Sequence, residues 1–303
     1  MIRYLARFTS TLFILGFPAV QMLGEFKAPE VPDGWVYYHD LEIGTVDGVT
    51  LSMELVAPGE APDGPLPVIA YIHGGGWNHG SKDVHGKRLA GIARRGYIAA
   101  SLMYRLTPQH AYPAQIEDIL AAIRFLKANA ATYHIAPDRI NLWGSSAGGH
   151  LASLAGTAAN DVHYNKHGIR EDQTESVFSV VDFSGPNCGF LSSFAARSSS
   201  MRAFLGGFPS DKPDVATEAM PITHVDADDP PFFVAHGTDD RTVPIQLSRQ
   251  FVEALLKAGG QVTYHEFEGA GHNITATHPE AQEMAWEFLR KLNFPDKETP
   301  GTE

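Results

Sequence analysis

Short apolar runs of strand length alternate, from residue 35 onward, with segments whose apolar residues recur every three or four positions. The apolar runs predict buried parallel strands, because a strand covered on both faces shows little polar alternation. These runs are Leu66–Ile72, Tyr97–Met103, Arg139–Trp143, Val177–Phe183, Phe232–Ala235 and Gln261–Phe267. The helical spacing covers Lys82–Arg95, Ala114–Ala130, Ala147–Ala159, Ile245–Ala258 and Pro279–Leu292. This alternation indicates a mostly parallel sheet with helices on both faces.

The first two strands are predicted to form a hairpin. Tyr37–Ile43 and Val49–Val56 flank Asp47-Gly48, a dipeptide that accepts positive φ. With the six buried runs they give an eight-stranded α/β sheet. Two other segments, Asn160–Gln173 and Pro186–Pro213, fit the pattern poorly and are predicted to be loops or a small lid over a site.

The domain boundaries follow from the same pattern. No repeat or obvious linker interrupts the alternation, so we expect one α/β domain over residues 35–295. Residues 1–34 form a preceding segment that resembles a signal or a cap, and residues 296–303 form a flexible tail.

The start of the chain carries Arg3 and Arg7 ahead of an apolar stretch from Thr11 to Leu23, with no acidic residue before Glu25. This order is typical of a secretory signal, which predicts a secreted or periplasmic protein. The small-x-small cleavage pattern is poor, so an arm covering the mouth of the site is the alternative, and a cytoplasmic location stays open. The apolar run is too short to predict a stable membrane span.

Charge and cysteine content narrow the partners. With 23 Lys and Arg against 35 Asp and Glu, the net charge of −12 repels nucleic acid and anionic lipid. The single cysteine, Cys188, excludes an internal disulfide and a thiolate metal cluster. The histidines show no H-E-x-x-H or comparable spacing, so no metal and no cofactor is predicted.

A candidate nucleophile lies in Gly144–Gly148, between a predicted strand and an alanine-rich helix. In a G-x-S-x-G turn only small neighbours fit on either side of the serine, which places Ser146 at the central position. Ser145 has no glycine two residues before it and is expected to support the loop. A helix N-cap or phosphate-binding loop is the alternative, but no Walker lysine accompanies it.

Candidate oxyanion donors lie in His73–Trp77, a glycine run directly after the third strand. Backbone N–H groups without side chains can approach a negative oxygen closely. We expect donors from Gly75 and Gly76, together with the N–H of Ala147 at the start of the following helix. A tight structural turn is the alternative, and His73 is expected to brace the loop.

The candidate base and acid follow two late strands: His272 in Gly269–His272, and Asp240 in His236–Pro244. An imidazole can take the serine proton and return it to a leaving group, while a carboxylate behind it fixes the tautomer. The adjacent Asp239 is the alternative acid. Asp182 is a weaker candidate, expected to be a loop-bracing or solvated carboxylate.

These motifs together resemble the α/β-hydrolase superfamily, and within it bacterial serine esterases with an HGGGW motif, including the feruloyl and acetyl xylan esterase-like group. The resemblance covers about residues 35–292 and also rests on Tyr104–Leu106, Tyr112–Asp118 and Asp229–Phe232. It implies hydrolysis of a carboxylic ester through an acyl-Ser146 intermediate, with His272 and Asp240 as its partners. Esterases of this type usually carry the acid three residues before a Val-Pro pair, here Val243-Pro244, so the resemblance favours Asp240 over Asp239. The implied substrate is a small-molecule or polysaccharide-linked ester of acetyl, feruloyl or other short acyl type.

Two alternatives remain open. One is an amidase, such as a kynurenine formamidase-like enzyme, or a peptidase. The other is a non-catalytic ligand-binding protein on the hydrolase fold. Trp77 and the phenylalanines of Pro186–Pro213 are candidate pocket residues, although their spacing also suits ordinary packing. The sequence does not predict an oligomeric state.

Overall fold

The computed structural model describes residues 28–159, 164 and 169–295, and within them eight strands form one sheet in the order β1-β2-β4-β3-β5-β6-β7-β8. β2 is antiparallel to both β1 and β4, and every other neighbouring pair is parallel. The prediction of a mostly parallel eight-stranded sheet is confirmed. The strands are β1 (Trp35–Val46), β2 (Val49–Pro58), β3 (Leu66–Ile72), β4 (Ile98–Leu102), β5 (Ile135–Ser145), β6 (Ser179–Phe183), β7 (Phe232–Gly237) and β8 (Val262–Phe267).

The leading hairpin turns where its sequence predicts. Asp47 and Gly48 both have positive φ, 50° and 78°, and β1 and β2 pair on either side of them. Arg105, in the loop after β4, reaches this turn: its Nη1 lies 2.8 Å from Asp47, and its Nε donates to the buried Asp118. Arg105 therefore links the hairpin turn to the first turns of the following helix.

Helices cover both faces of the sheet. They are α1 (Gly86–Ala93), α2 (Ala114–Ala128), α3 (Ala130–Tyr133), α4 (Ala147–Thr157), α5 (Ser193–Arg197), α6 (Ser199–Leu205), α7 (Pro213–Glu218), α8 (Ile245–Ala258) and α9 (Glu280–Asn293). α1 begins later than predicted, after a 3-10 turn at Asp83–His85. Lys82 lies before this turn and reaches Glu54 on β2 at 2.6 Å, which ties the turn to the sheet.

Pro186–Pro213 was expected to be a loop or a lid, and the loop part of that prediction is wrong. It contains α5 and α6, and Phe190 and Phe204 are fully buried in the core. These helices have five and seven residues, which is too short for a helical period to stand out from the sequence. The segment is a small helical cover packed into the domain.

Two apolar cores lie on opposite faces of the sheet. One is formed with α2, α4, α8 and the helical cover, and the other with α1 and α9. The described part of the preceding segment packs beside α1, where Arg94 donates to the carbonyl of Glu30 and Val31 joins the second core.

Several predictions concern residues that the structure does not describe. The export signal in residues 1–24, the tail at 296–303 and most of the predicted loop at 160–173 lie outside the described residues. Of that loop, Tyr164 is buried and its hydroxyl lies 2.6 Å from that of Tyr112. None of the helices in the described ranges has the length and apolarity that crossing a membrane requires.

Candidate active site

Ser146 occupies a strained turn between β5 and α4. Its φ of 57° and ψ of −124° lie in a region that residues with side chains rarely adopt. A Cβ on Gly144 would lie 2.1 Å from the carbonyl oxygen of Gly148, and one on Gly148 would lie 2.2 Å from that of Ile72. Both flanking glycines are therefore required by close backbone contacts, and the backbone N–H of Ser146 donates to Phe183 at 2.8 Å to hold the turn.

The structure brings Ser146, His272 and Asp240 into one hydrogen-bonded line. Ser146 Oγ lies 2.9 Å from Nε2 of His272, and Nδ1 of His272 lies 2.7 Å from Oδ2 of Asp240. This geometry requires the His272 proton on Nδ1, donated to the carboxylate, so that Nε2 accepts from the serine hydroxyl. The arrangement can take a proton from Ser146 and keep the resulting imidazolium beside a negative charge.

The carboxylate of Asp240 is held by several donors. Its side chain is fully buried, and it also accepts from the backbone N–H groups of Thr242 and Val243 at 2.8 and 2.9 Å. Burial opposes its ionisation, but hydrogen bonds from His236, His272 and Val243 outweigh burial and lower the pKa of Asp240. The group is therefore an anion throughout the neutral range.

His236 is a member of this network that the sequence analysis did not single out. It is fully buried at the end of β7, with Nε2 2.9 Å from the carbonyl oxygen of Val243 and 3.1 Å from Asp240. Its Nδ1 lies 2.6 Å from the hydroxyl of Ser248. Two acceptors at Nε2 place the proton there, so His236 donates to Asp240 and accepts from Ser248. Its position four residues before Asp240 was the only signal in the sequence.

The two competing carboxylates do not contact His272. Asp239 is exposed, and its backbone N–H donates to Ala270. Asp182 is fully buried and accepts from the N–H of Gly185 at 2.9 Å and from Asn187 at 2.5 Å. Burial raises the pKa of Asp182, with these hydrogen bonds opposing it. It braces the loop after β6, as expected.

The candidate oxyanion donors border the same cavity as the triad. Gly75, Gly76 and Ala147 line a space of about 510 Å³ together with Ser146 and His272. Gly75 and Gly76 have φ of 111° and 56°, and a Cβ on Gly75 would lie 2.1 Å from the carbonyl oxygen of His79. Among the described residues no hydrogen bond is formed by the backbone N–H of either glycine, and Ala147 carries a first-turn N–H without an intrahelical partner. These donors are available to an incoming oxyanion.

Trp77 holds this loop in place, and its role as a substrate-pocket residue stays a prediction. Trp77 borders the cavity, but it is only 3% exposed, and its ring stacks on Phe204 with centroids 4.4 Å apart. Its indole N–H donates to Nδ1 of His150 at 3.3 Å, and Nε2 of His150 donates to the carbonyl of Ala219 at 2.8 Å. The ring is buried because the helical cover closes over it. Burial lowers the pKa of His150 to about 4, which keeps the imidazole neutral.

His73 braces the same loop from the other side. It is buried, its Nδ1 lies 2.8 Å from the carbonyl of Gly74, and its ring stacks on Tyr104 with centroids 4.2 Å apart. This is the structural role expected from the sequence.

The cavity wall opposite Ser146 comes from the helical cover. Of the four phenylalanines proposed for the mouth, only Phe194 lines the cavity, while Phe190 and Phe204 are core residues and Phe208 is exposed under Arg202. The other wall residues from this cover are Pro186, Ser198, Ser200 and Met201. The wall therefore mixes apolar side chains with small hydroxyls.

One cluster of possible metal ligands occurs away from the triad, formed by His39, Asp40, Glu54 and Asp83. The ammonium of Lys82 lies within 2.6 Å of a carboxylate oxygen of each of the three acids. It supplies the positive charge that a metal ion would otherwise bring, so the described residues there form an ion-pair cluster.

Comparison with known proteins identifies one matching family model and relatives that are named as ester hydrolases. The family model BD-FAE matches residues 53–255. Esterase LipC of Mycobacterium tuberculosis is 35% identical over 250 residues, which is 77% of this chain and 60% of LipC. The probable carboxylic ester hydrolase LipM of the same organism is 36% identical over 69% of this chain and 49% of LipM. The chain thus spans less than two thirds of the length of LipC and about half of the length of LipM.

Solved structures agree with the fold. A truncated carbohydrate esterase from gut microbiota superposes with a TM-score of 0.77 at 26% identity, covering 88% of this chain and 99% of that one. An acetyl ester-xyloside bifunctional hydrolase from Caldicellulosiruptor lactoaceticus gives 0.73 at 26% identity, covering 87% and 98%. Sheet order, nucleophile turn and family match agree, and the chain belongs to the BD-FAE family, on an α/β-hydrolase fold.

Proposed function

We propose that this protein is a serine carboxylesterase that acts on short-acyl esters, with esters of carbohydrates as the substrate class. The observation that carries the proposal is the line from Ser146 Oγ through His272 to Asp240, beside a cavity bordered by unengaged backbone N–H groups. This combination serves acyl transfer, because it activates a hydroxyl and stabilises the negative oxygen of the tetrahedral intermediate.

The reaction follows from these positions. Ser146 Oγ attacks the ester carbonyl carbon while its proton passes to Nε2 of His272, and the carbonyl oxygen becomes an anion facing Gly75, Gly76 and Ala147. The carbon–oxygen bond to the alcohol then breaks, and His272 gives its proton to the leaving oxygen. A water molecule loses a proton to His272 and attacks the acyl carbon. Ser146 recovers that proton as the carboxylic acid leaves.

The short-acyl and carbohydrate preference is supported by the cavity and by the relatives. The cavity of about 510 Å³ is closed on one side by Phe194 and Met201 and carries the hydroxyls of Ser198 and Ser200. One solved neighbour is named a carbohydrate esterase, and another is named an acetyl ester-xyloside bifunctional hydrolase.

The deciding experiment is hydrolysis of p-nitrophenyl esters from acetate to laurate, with methyl ferulate and a matched anilide alongside. Ser146→Ala is expected to reduce ester turnover by about three orders of magnitude or more while the fold persists. Ser145→Ala is the matched control, since Ser145 borders the same cavity and is expected to keep most activity.

The outcomes separate the alternatives. A fall in rate with increasing acyl length supports the short-acyl assignment, whereas faster turnover of methyl ferulate than of the acetate favours an aromatic acyl group. If the anilide is hydrolysed faster than the matched ester, the protein is an amidase and not an esterase. If no ester or anilide is hydrolysed and Ser146 does not react with a phosphonate, the non-catalytic ligand-binding protein becomes the favoured alternative.

A further inference from the structure

A second cavity adjoins the catalytic one. It has a volume of about 170 Å³ and shares Tyr71, Ser145, His272 and Asn273 with the cavity that contains Ser146. The two spaces therefore meet at the catalytic histidine.

The walls of this second cavity carry one permanent charge. Arg88 on α1 contributes the guanidinium, and none of the described residues around the cavity is acidic. Apart from the imidazole of His272, the remaining wall consists of aromatic, aliphatic, amide and hydroxyl side chains, among them Tyr71, Asn273, Thr275 and Gln282. A chain with a net charge of −12 thus places an isolated cation beside its catalytic histidine.

The guanidinium of Arg88 has no anionic partner in the described part of the chain. Its carbon lies 4.4 Å from the centroid of Tyr71, and no hydrogen bond or ion pair accompanies this contact. The neighbouring arginines differ, since Arg94 donates to the backbone carbonyl of Glu30 and Arg95 pairs with the carboxylate of Glu283. His85 also faces Tyr71, and burial, followed by the charge of Arg88, lowers its pKa to about 4, so it is neutral and adds no second positive charge.

The position relative to His272 decides which half of an ester this cavity receives. His272 must reach the leaving oxygen to protonate it, so the alcohol lies on the His272 side of the scissile bond. Gly75, Gly76 and Ala147 border only the first cavity, whereas His272 and Asn273 border both. The second cavity is therefore placed for the alcohol.

We propose that the second cavity binds an alcohol that carries a carboxylate, with Arg88 as its partner. The planar guanidinium suits a carboxylate, which it can bind through two parallel N–H groups. Gln282, Thr275 and Asn273 supply the amides and hydroxyl that an acidic sugar or another hydroxy acid would meet. This assignment rests on the proposed ester hydrolysis and makes Arg88 a specificity-determining residue.

The test compares 3-acetoxybenzoate with its methyl ester, which share the acetyl group and differ in one charge. We expect Arg88→Gln to reduce the kcat/KM ratio of the carboxylate to the methyl ester by ~10-fold, mainly through KM. The variant is expected to stay within ~2-fold of wild type on the methyl ester. Lys87→Gln is the matched control, because it removes the same charge from an exposed position on α1 that lines neither cavity.

The possible results are distinct. An unchanged ratio in Arg88→Gln, or an equal loss on both esters, would overturn the proposal and leave Arg88 with packing against Tyr71. If Lys87→Gln changes the kcat/KM ratio of the two esters as much as Arg88→Gln does, the proposal is also wrong, because the preference would then come from long-range electrostatic attraction. If the wild-type protein hydrolyses neither ester, the proposed function itself is wrong. If it hydrolyses the methyl ester, the proposed esterase activity is supported independently of the role of Arg88.

Discussion

Nε2 of His236 lies 3.1 Å from Oδ2 of Asp240, the same oxygen that accepts from His272. The acid is thus held between two imidazoles, one of which faces the cavity while the other is fully buried. His236 fixes the carboxylate from behind and acts on the reaction only through it, as a positioning residue.

Replacing His236 with Asn or Gln tests this role. An Asn amide reaches the place of Nδ1 but not that of Nε2, so His236→Asn loses the donor to Asp240. We expect kcat to fall by about tenfold with little change in KM, since one hydrogen bond to a charged group is lost. His236→Gln extends an amide towards Nε2 and is expected to recover most of the rate. Equal kcat in the two variants, at equal unfolding free energy, would contradict the positioning role.

The choice between the neighbouring acids is tested by two amide substitutions. Asp240→Asn is expected to reduce kcat by up to about four decades, because an amide cannot hold the tautomer that His272 needs. Asp239→Asn is expected to stay near wild type, since Asp239 is exposed and makes no contact with His272. Steady-state kinetics on p-nitrophenyl acetate decide between them, and the reverse order would reassign the acid.

The nucleophile turn makes a prediction about stability. In Gly148→Ala the added methyl would lie 2.2 Å from the carbonyl oxygen of Ile72, so β3 and α4 must separate. We expect the free energy of unfolding to fall by roughly 3 kcal/mol or more, with loss of activity. Gly91→Ala in α1 is the control: its Cβ meets nothing within 4 Å, and helix propensity predicts a gain of up to ~1 kcal/mol. Urea denaturation measures both.

The buried His150 predicts a dependence of stability on pH. Its pKa is lowered by burial to about 4, while in the unfolded chain it is about 6.5. Between these values the unfolded chain binds a proton that the folded protein excludes, so the free energy of unfolding falls as the pH decreases from 6.5 to 4, by ~3 kcal/mol from this residue. His150→Gln should flatten part of this slope in urea titrations at pH 7 and 5. An unchanged slope would show that another group carries it.

The sequence predicted those parts of the molecule in which local chemistry dictates structure. Gly144 and Gly148 flank Ser146 because backbone atoms press on both, so the turn could be recognised from three small residues. Asp47-Gly48 likewise marked the hairpin. The sheet could be predicted because a parallel strand that is covered on both faces needs a continuous apolar run.

The parts that were missed depend on contacts between distant residues. The burial of Trp77 results from Phe204 and His150, which are 127 and 73 residues away and give no local signal. The donor role of His236 depends on the path of the loop that returns Val243 and Asp240 to it. Arg88 shows the same limit, because its lack of an anionic partner among the described residues is a property of its surroundings and not of the sequence around it.

The anchoring of Trp77 also determines how substrate reaches the serine. Phe204 belongs to the helical cover and His150 to α4, so the oxyanion loop, the cover and the nucleophile helix are packed as a single unit. Movement of the cover away from the domain would expose the indole of Trp77 and disrupt the oxyanion loop, which is proposed to stabilise the tetrahedral intermediate. We therefore expect the proposed ester hydrolysis to proceed with the cover closed, on dissolved ester molecules that diffuse into a cavity already formed. An oil–water boundary, which switches on enzymes with swinging lids, is expected to bring no increase in rate.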